Sequence, residues 1–234
     1  MELREKLEKA ALFSGKTFME YAQANKAHPY SSGKGKVKET ADDILKMEEL
    51  IDQTEREAGI APTCHKGCTA CCKQSIFVTG FEVEVIKRYI ESTYDAETIS
   101  AIRERTRATA GIIDQSIGKV PKTSFEVMHV LNNSNNYKKR YFELQLLCPL
   151  IDAEGGCAVY AVRPSSCWSY RMYGDPQRCE DDYDIEETIT YQGAEKVVSL
   201  KRDASVAAKT LPRNPKYYLG GFLPQKLHEA FKTI

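Results

Sequence analysis

No stretch of the sequence approaches the ~20 apolar residues that a membrane helix needs. No basic amino-terminal region precedes a long apolar run either, so neither insertion nor secretion is expected. A net charge is also missing, because 33 Lys and Arg residues balance 33 Asp and Glu. Without a basic excess, nucleic acid is not favoured as a partner. There is no internal repeat and no low-complexity tract, so a repeat architecture is not indicated. No Gly-x-Gly-x-x-Gly follows a strand, which leaves a Rossmann-type methyltransferase unsupported. Gly15-Lys16-Thr17 looks like the end of a phosphate-binding loop, but Ala10 stands where that pattern requires glycine, and the residues before it read as helix.

What is present is an ordinary globular composition, 42% hydrophobic and 28% charged over 234 residues. That length suits one sizeable domain, or one domain with a helical arm, burying roughly 70% of its unfolded surface. The expected location is the cytoplasm. Leu3, Leu7, Ala10 and Ala11 recur at helical spacing and predict an amino-terminal arm, which breaks at a Pro, Ser and Gly-rich linker from Pro29 to Lys36. This places an arm at 1–36 and the main domain at 37–234. Thr40 reads as the N-cap of a second helix ending near Ala58, before Gly59 and Pro62. Ser75 to Val78 is β-prone, and Thr79-x-x-Glu82 has capping-box spacing ahead of a helix to about Ser92. Asp95 caps a fourth helix, Ala96 to about Ile117. Tyr141 to Ile151 and Cys157 to Val162 read as a hairpin about Asp152-Ala153-Glu154-Gly155-Gly156. Thr188 to Tyr191 is a further strand. The end of the chain reads as an extended tail closing with a short helix, Gln225 to Phe231. The fold class predicted is α+β, mainly helical, with a small hairpin region beside a cysteine site.

Eight cysteines are too sparse for a secreted disulfide scaffold, and in a reducing compartment they point to metal or redox chemistry. Four of them, Cys64, Cys68, Cys71 and Cys72, fall within nine residues. On a helix they would share one side, and a loop could wrap them about a centre. Packing alone gives no reason for such crowding. Cys148, Cys157, Cys167 and Cys179 are more widely spaced and read either as ligands completing that centre or as plain core cysteines. Thiolates are soft ligands that select zinc, copper(I) or iron-sulfur clusters. A tetrahedral zinc takes four, and adjacent Cys71 and Cys72 are expected to have difficulty closing on one ion. A [4Fe-4S] cluster also takes four and is expected to tolerate ligands from distant segments. Eight thiols fit two sites, or one site plus spares.

The spacing Cys64-x3-Cys68-x2-Cys71 also matches the radical S-adenosylmethionine signature. Those enzymes look like partial βα barrels, and the strand and helix alternation that a barrel requires is absent here. His65 sits inside the cluster as a candidate ligand or sulfur-bonding donor, whereas His28, His129 and His228 read as surface or packing residues. Lys66, Lys73, Arg163 and Arg171 read either as cations offsetting thiolate charge or as ordinary exposed side chains. Trp168, Tyr170 and Tyr173 read as a wall around the site or as core. The acidic run from Glu180 to Glu187 reads as a solvated loop, or as an attractor for a cation or a lysine-bearing protein.

The whole pattern resembles the YkgJ-type cysteine-cluster family of zinc- or iron-chelating domains. The signature stands here as Cys64-x3-Cys68-x2-Cys71-Cys72. The likeness continues through Cys148-Pro149-Leu150, Gly156-Cys157-Ala158-Val159-Tyr160 and Arg163-Pro164-Ser165-Ser166-Cys167, covering about residues 60 to 175. Two features depart from the family: the first gap is three residues where two are common, and Trp168 follows Cys167 where Arg is common. The resemblance implies a metal centre held by Cys64, Cys68, Cys71, Cys72, Cys148, Cys157 and Cys167, with Cys179 an optional eighth. An iron-sulfur cluster is favoured over zinc. The family also looks related to the flagellin lysine N-methylase, which implies S-adenosylmethionine as a second cofactor and a protein substrate in an alternative, methyl-transferring reading.

Overall fold

The computed structural model describes residues 2–25, 28–31, 35–191 and 193–232. In chain order, α1 (Leu3–Asn25) and α2 (Gly35–Ala58) are followed by a 3₁₀ turn at Ala70–Lys73. Then come β1 (Phe77–Thr79), α3 (Gly80–Thr93), α4 (Ala96–Ser116), α5 (Ser124–Asn132) and α6 (Ser134–Glu143). Beyond a 3₁₀ turn at Tyr160–Val162 lie α7 (Ser165–Trp168), β2 (Tyr170–Met172), α8 (Arg178–Asp181), β3 (Thr188–Thr190) and α9 (Ala194–Ala207). A last 3₁₀ turn at Pro215–Tyr218 leads into β4 (Gly220–Phe222) and α10 (Leu223–Lys232). The protein is therefore mainly helical α+β, as its sequence predicts, and its strands form two small antiparallel pairs.

The chain divides into two compact units. The first comprises Met1–Lys66, Ala161–Pro176 and Ile185–Arg213; the second comprises Gly67–Tyr160, Gln177–Asp184 and Asn214–Ile234. In the first unit α1 packs on α2 and α9. Its core joins Leu7, Phe18, Met47 and Ile51 to Trp168, Ile189 and Tyr191. β2 pairs with β3, setting Tyr170 opposite Thr190 and Met172 opposite Thr188. The linker expected at 29–36 lies partly outside the described residues, and from Gly35 onward the chain is helix. Thr40 is not the N-cap: it lies inside α2, where its Oγ1 donates to the Lys36 carbonyl at 2.7 Å. A hydroxyl placed mid-helix can return its proton to the carbonyl four residues back, so the residue type alone does not mark a start.

In the second unit α10 packs on α4 and α3. The capping box at α3 is formed, with Thr79 Oγ1 accepting from the Glu82 amide and Glu82 Oε2 from the Thr79 amide at 2.8 Å. Asp95 caps α4 by accepting from the Thr98 amide, also at 2.8 Å. β1 pairs with β4, putting Phe77 opposite Phe222. Gly80 has to be glycine because a Cβ there would stand 1.9 Å from the Lys216 carbonyl oxygen.

The predicted hairpin shrinks to one bridge, Ile151 to Cys157. Its turn is present, with Asp152 Oδ1 accepting from the Gly156 amide at 2.6 Å and Gly155 at φ +80°. Its flanks are not strands. Tyr141 ends in α6, and Tyr160–Val162 is a 3₁₀ turn. Tyr137 and Tyr141, four residues apart, both pack on Phe222, so the helical period of the aromatics outweighs their β propensity.

Candidate metal centre

Each unit carries thiols, and each set is built by local backbone bonding. All eight cysteines are among the described residues, and none is in a disulfide. In the second unit, Cys68 precedes the 3₁₀ turn that carries Cys71 and Cys72. With three residues per turn, consecutive side chains there diverge by about 120°, so Cys71 and Cys72 face different directions. The Cys72 carbonyl accepts the Cys148 amide at 2.9 Å, which fastens the first cluster to the second. From Cys148 the chain folds back on itself: the Ile151 amide donates to the Cys148 carbonyl at 3.1 Å, and the Ala158 amide to the Leu150 carbonyl at 2.9 Å. This returns Cys157 to the neighbourhood of Cys148. The helices hold the loop in place, with Tyr94 Oη donating to the Ala158 carbonyl at 2.7 Å and Arg105 Nε to the Pro149 carbonyl at 3.1 Å.

The Cys148 thiol feels the fields of both Cys157 and Cys71. Burial pushes the Cys148 thiol up to about 12, a backbone N–H at Leu150 pulls it down, and the Cys157 and Cys71 thiols push it further up. Tyr141 is raised by burial and by the same Cys148 thiol. A thiol held neutral by burial and by neighbouring thiols ionises more readily once a cation is beside it, which is compatible with thiolate metal binding.

Cys179, the least certain ligand in the sequence, is buried on α8, which packs against the 3₁₀ turn. Gln74 Nε2 donates to the Cys179 carbonyl at 2.9 Å and to the Asp182 carbonyl at 2.7 Å, and Lys73 pairs with Glu180 at 3.1 Å. Part of the acidic run is thus tied to the cysteine turn. Asp182 Oδ1 closes its own loop by accepting the Tyr183 amide at 2.7 Å.

In the first unit, Met172 at the end of β2 donates its amide to Cys64 Sγ at 3.1 Å, and its carbonyl accepts the Thr63 amide at 2.8 Å. Cys167 lies in α7, its amide bonded to the Pro164 carbonyl at 2.8 Å. Arg163 pairs with Glu48, and Arg171 pairs with Glu48 at 3.7 Å and with Asp52 at 3.4 Å. Glu48 and Met172 carry no signal in sequence that links them to the cysteines. Trp168 is buried and meets Phe18 edge-on at 6.4 Å, so it belongs to the core, while Tyr173 is hydrogen-bonded to Glu55 and Tyr191, and His65 is exposed.

Among the described residues, no group of three or more Cys, His, Asp or Glu side chains is arranged to hold a single ion. The donor set itself fits a soft metal: thiols, most of them half-buried, on short and well-bonded segments. No helix among the described residues is long and apolar enough to cross a membrane. A family model named CxxCxxCC, described as a "putative zinc- or iron-chelating domain", matches residues 63–189. No curated protein and no solved structure matches the chain.

Proposed function

The chain belongs to the CxxCxxCC family, and we propose that it binds a [4Fe-4S] cluster in its second unit through Cys71, Cys148 and Cys157, with Cys68 or Cys72 as the fourth ligand. The observation that carries this reading is the Cys148 amide bonded to the Cys72 carbonyl at 2.9 Å, which holds two cysteine-bearing segments 76 positions apart (148 − 72) against each other. The second unit contains six thiols, at Cys68, Cys71, Cys72, Cys148, Cys157 and Cys179, more than the four that a closed zinc site uses. Divergent neighbours and ligands from separate segments suit the larger volume of a cluster. When bound, a cluster of this kind supplies a redox-active iron centre. The chain's own residues hold its ligands: the Cys72 carbonyl, Tyr94 and Arg105 fix the Cys148 loop, and Gln74 fixes α8.

Single replacement of Cys71, Cys148 or Cys157 by Ser, followed by iron and sulfide analysis of anaerobically prepared protein, tests the assignment. Each variant should lose the cluster. Full iron content in all three would remove these residues as ligands.

A further inference from the structure

We propose that the apolar face of α5, in the second unit, docks on a membrane surface of acidic lipids, with the lysines beside it at the level of the headgroups. The helix is rich in apolar residues, yet none of its residues is buried. It packs chiefly on α6, where His129 meets Tyr137 edge-on at 6.4 Å. Phe125 is 82% exposed, Met128 52% and Leu131 46%. Residues three apart on a helix are offset by about 60°, so these three side chains stand within about a third of its circumference. Val127 and Val130, half-buried, take the other side, where Val130 lines a cleft with Tyr137 and Phe222. The inward side is thus used by the fold, and the outward apolar side is not. An apolar patch left in water marks a surface that something else covers.

Charge identifies the covering surface. From Ile117 to Glu143 the chain carries Lys119, Lys122, Lys138, Lys139 and Arg140 against Glu126 and Glu143, an excess of three positive charges (5 − 2) in a chain whose total is zero. Glu126 is occupied as a cap, its Oε2 accepting the Lys122 and Thr123 amides at 2.6 and 3.0 Å. Lys122 pairs with Glu229, and Arg140 donates to the Ser116 carbonyl. Lys119, Lys138 and Lys139 are exposed and pair with no carboxylate among the described residues. Lys119 shares the lining of the cleft with Val130 and Tyr137, which puts its charge beside both helices. The complement of this surface is apolar and anionic at once. A phenylalanine more than four-fifths exposed stands clear of its surroundings, so a protein partner would have to supply a groove shaped for it. A bilayer interface accepts protruding apolar side chains without a matched shape and sets phosphates next to them, as it does for amphipathic helices lying in its plane.

The test is co-sedimentation of the full chain, prepared anaerobically, with vesicles of phosphatidylcholine alone and of phosphatidylcholine containing about 30% phosphatidylserine. The chain should sediment with the acidic vesicles and far less with the neutral ones, and added salt should release it, because exposed charges are screened within about 8 Å at physiological ionic strength. Lys138→Gln with Lys139→Gln should weaken binding about 30-fold, at roughly a factor of five per cation. Phe125→Ser with Met128→Ser should weaken it about tenfold or more through lost apolar burial. All four positions are exposed, so urea unfolding of both variants should match wild type. No sedimentation with acidic vesicles, equal binding to both vesicle types, or wild-type binding in either variant would overturn the proposal. Light scattering of the lipid-free chain supplies the remaining outcome: a dimer that Phe125→Ser with Met128→Ser dissolves would show that a second copy covers this face, and would overturn it as well.

Discussion

Glu55 holds a buried carboxylate, only 3% exposed, between two tyrosine hydroxyls, with Tyr173 Oη donating to its Oε1 at 2.6 Å and Tyr191 Oη at 3.4 Å. Burial raises its pKa, and the Tyr173 hydrogen bond and the Arg171 charge only partly offset the rise. Folding therefore favours the protonated acid. That contribution to stability is fully present below the ordinary glutamate value and is lost as pH rises through the raised one. Glu55→Gln keeps an acceptor for Tyr173 and removes the titration. Urea midpoints across the acidic range should show wild type losing stability relative to Glu55→Gln as pH rises through that window, and a constant gap would refute the burial argument. At this scale the cysteines stand out in the sequence as candidate soft ligands, by residue type and spacing alone. Glu48 and Met172 are not legible, since their roles come from contacts more than a hundred positions apart. The role of Lys73 becomes clear only when Glu180 is seen beside it.

Among the secondary elements, caps are the most readable features. The Thr79 and Glu82 pair specifies the start of α3, and Asp95 that of α4. Thr79→Ala should cost about 1 kcal/mol in chemical unfolding, the usual worth of an N-cap side chain. A cost near zero would mean that the β1 to β4 pairing, not the cap, fixes this helix start. Thr123-x-x-Glu126 has the same spacing and caps α5 in the same way, a signal present in the sequence. Elements set by tertiary contacts are less readable. The run from Tyr141 looks β-prone by composition, yet Tyr137 and Tyr141 face Phe222, more than eighty positions later, and the segment is the end of a helix. β4 is two glycines and a phenylalanine, and the glycines leave it little strand propensity; it pairs with Phe77, Val78 and Thr79.

At the scale of the whole molecule, composition foretells a helical α+β protein without a membrane helix, and the matched family model agrees with the cysteine pattern. The division into two units is not legible, because each is assembled from three separate stretches of chain. The thiols are shared between those units, six in one and two in the other, an arrangement that spacing alone does not reveal. The metal is the central claim. Anaerobic purification, followed by metal and sulfide analysis and a visible absorption spectrum of the same sample, tests it most directly. A bound [4Fe-4S] cluster should give about four irons with matching sulfide per chain and a broad brown absorbance. A colourless protein holding one or two zinc ions would contradict it and make the centre a closed structural site.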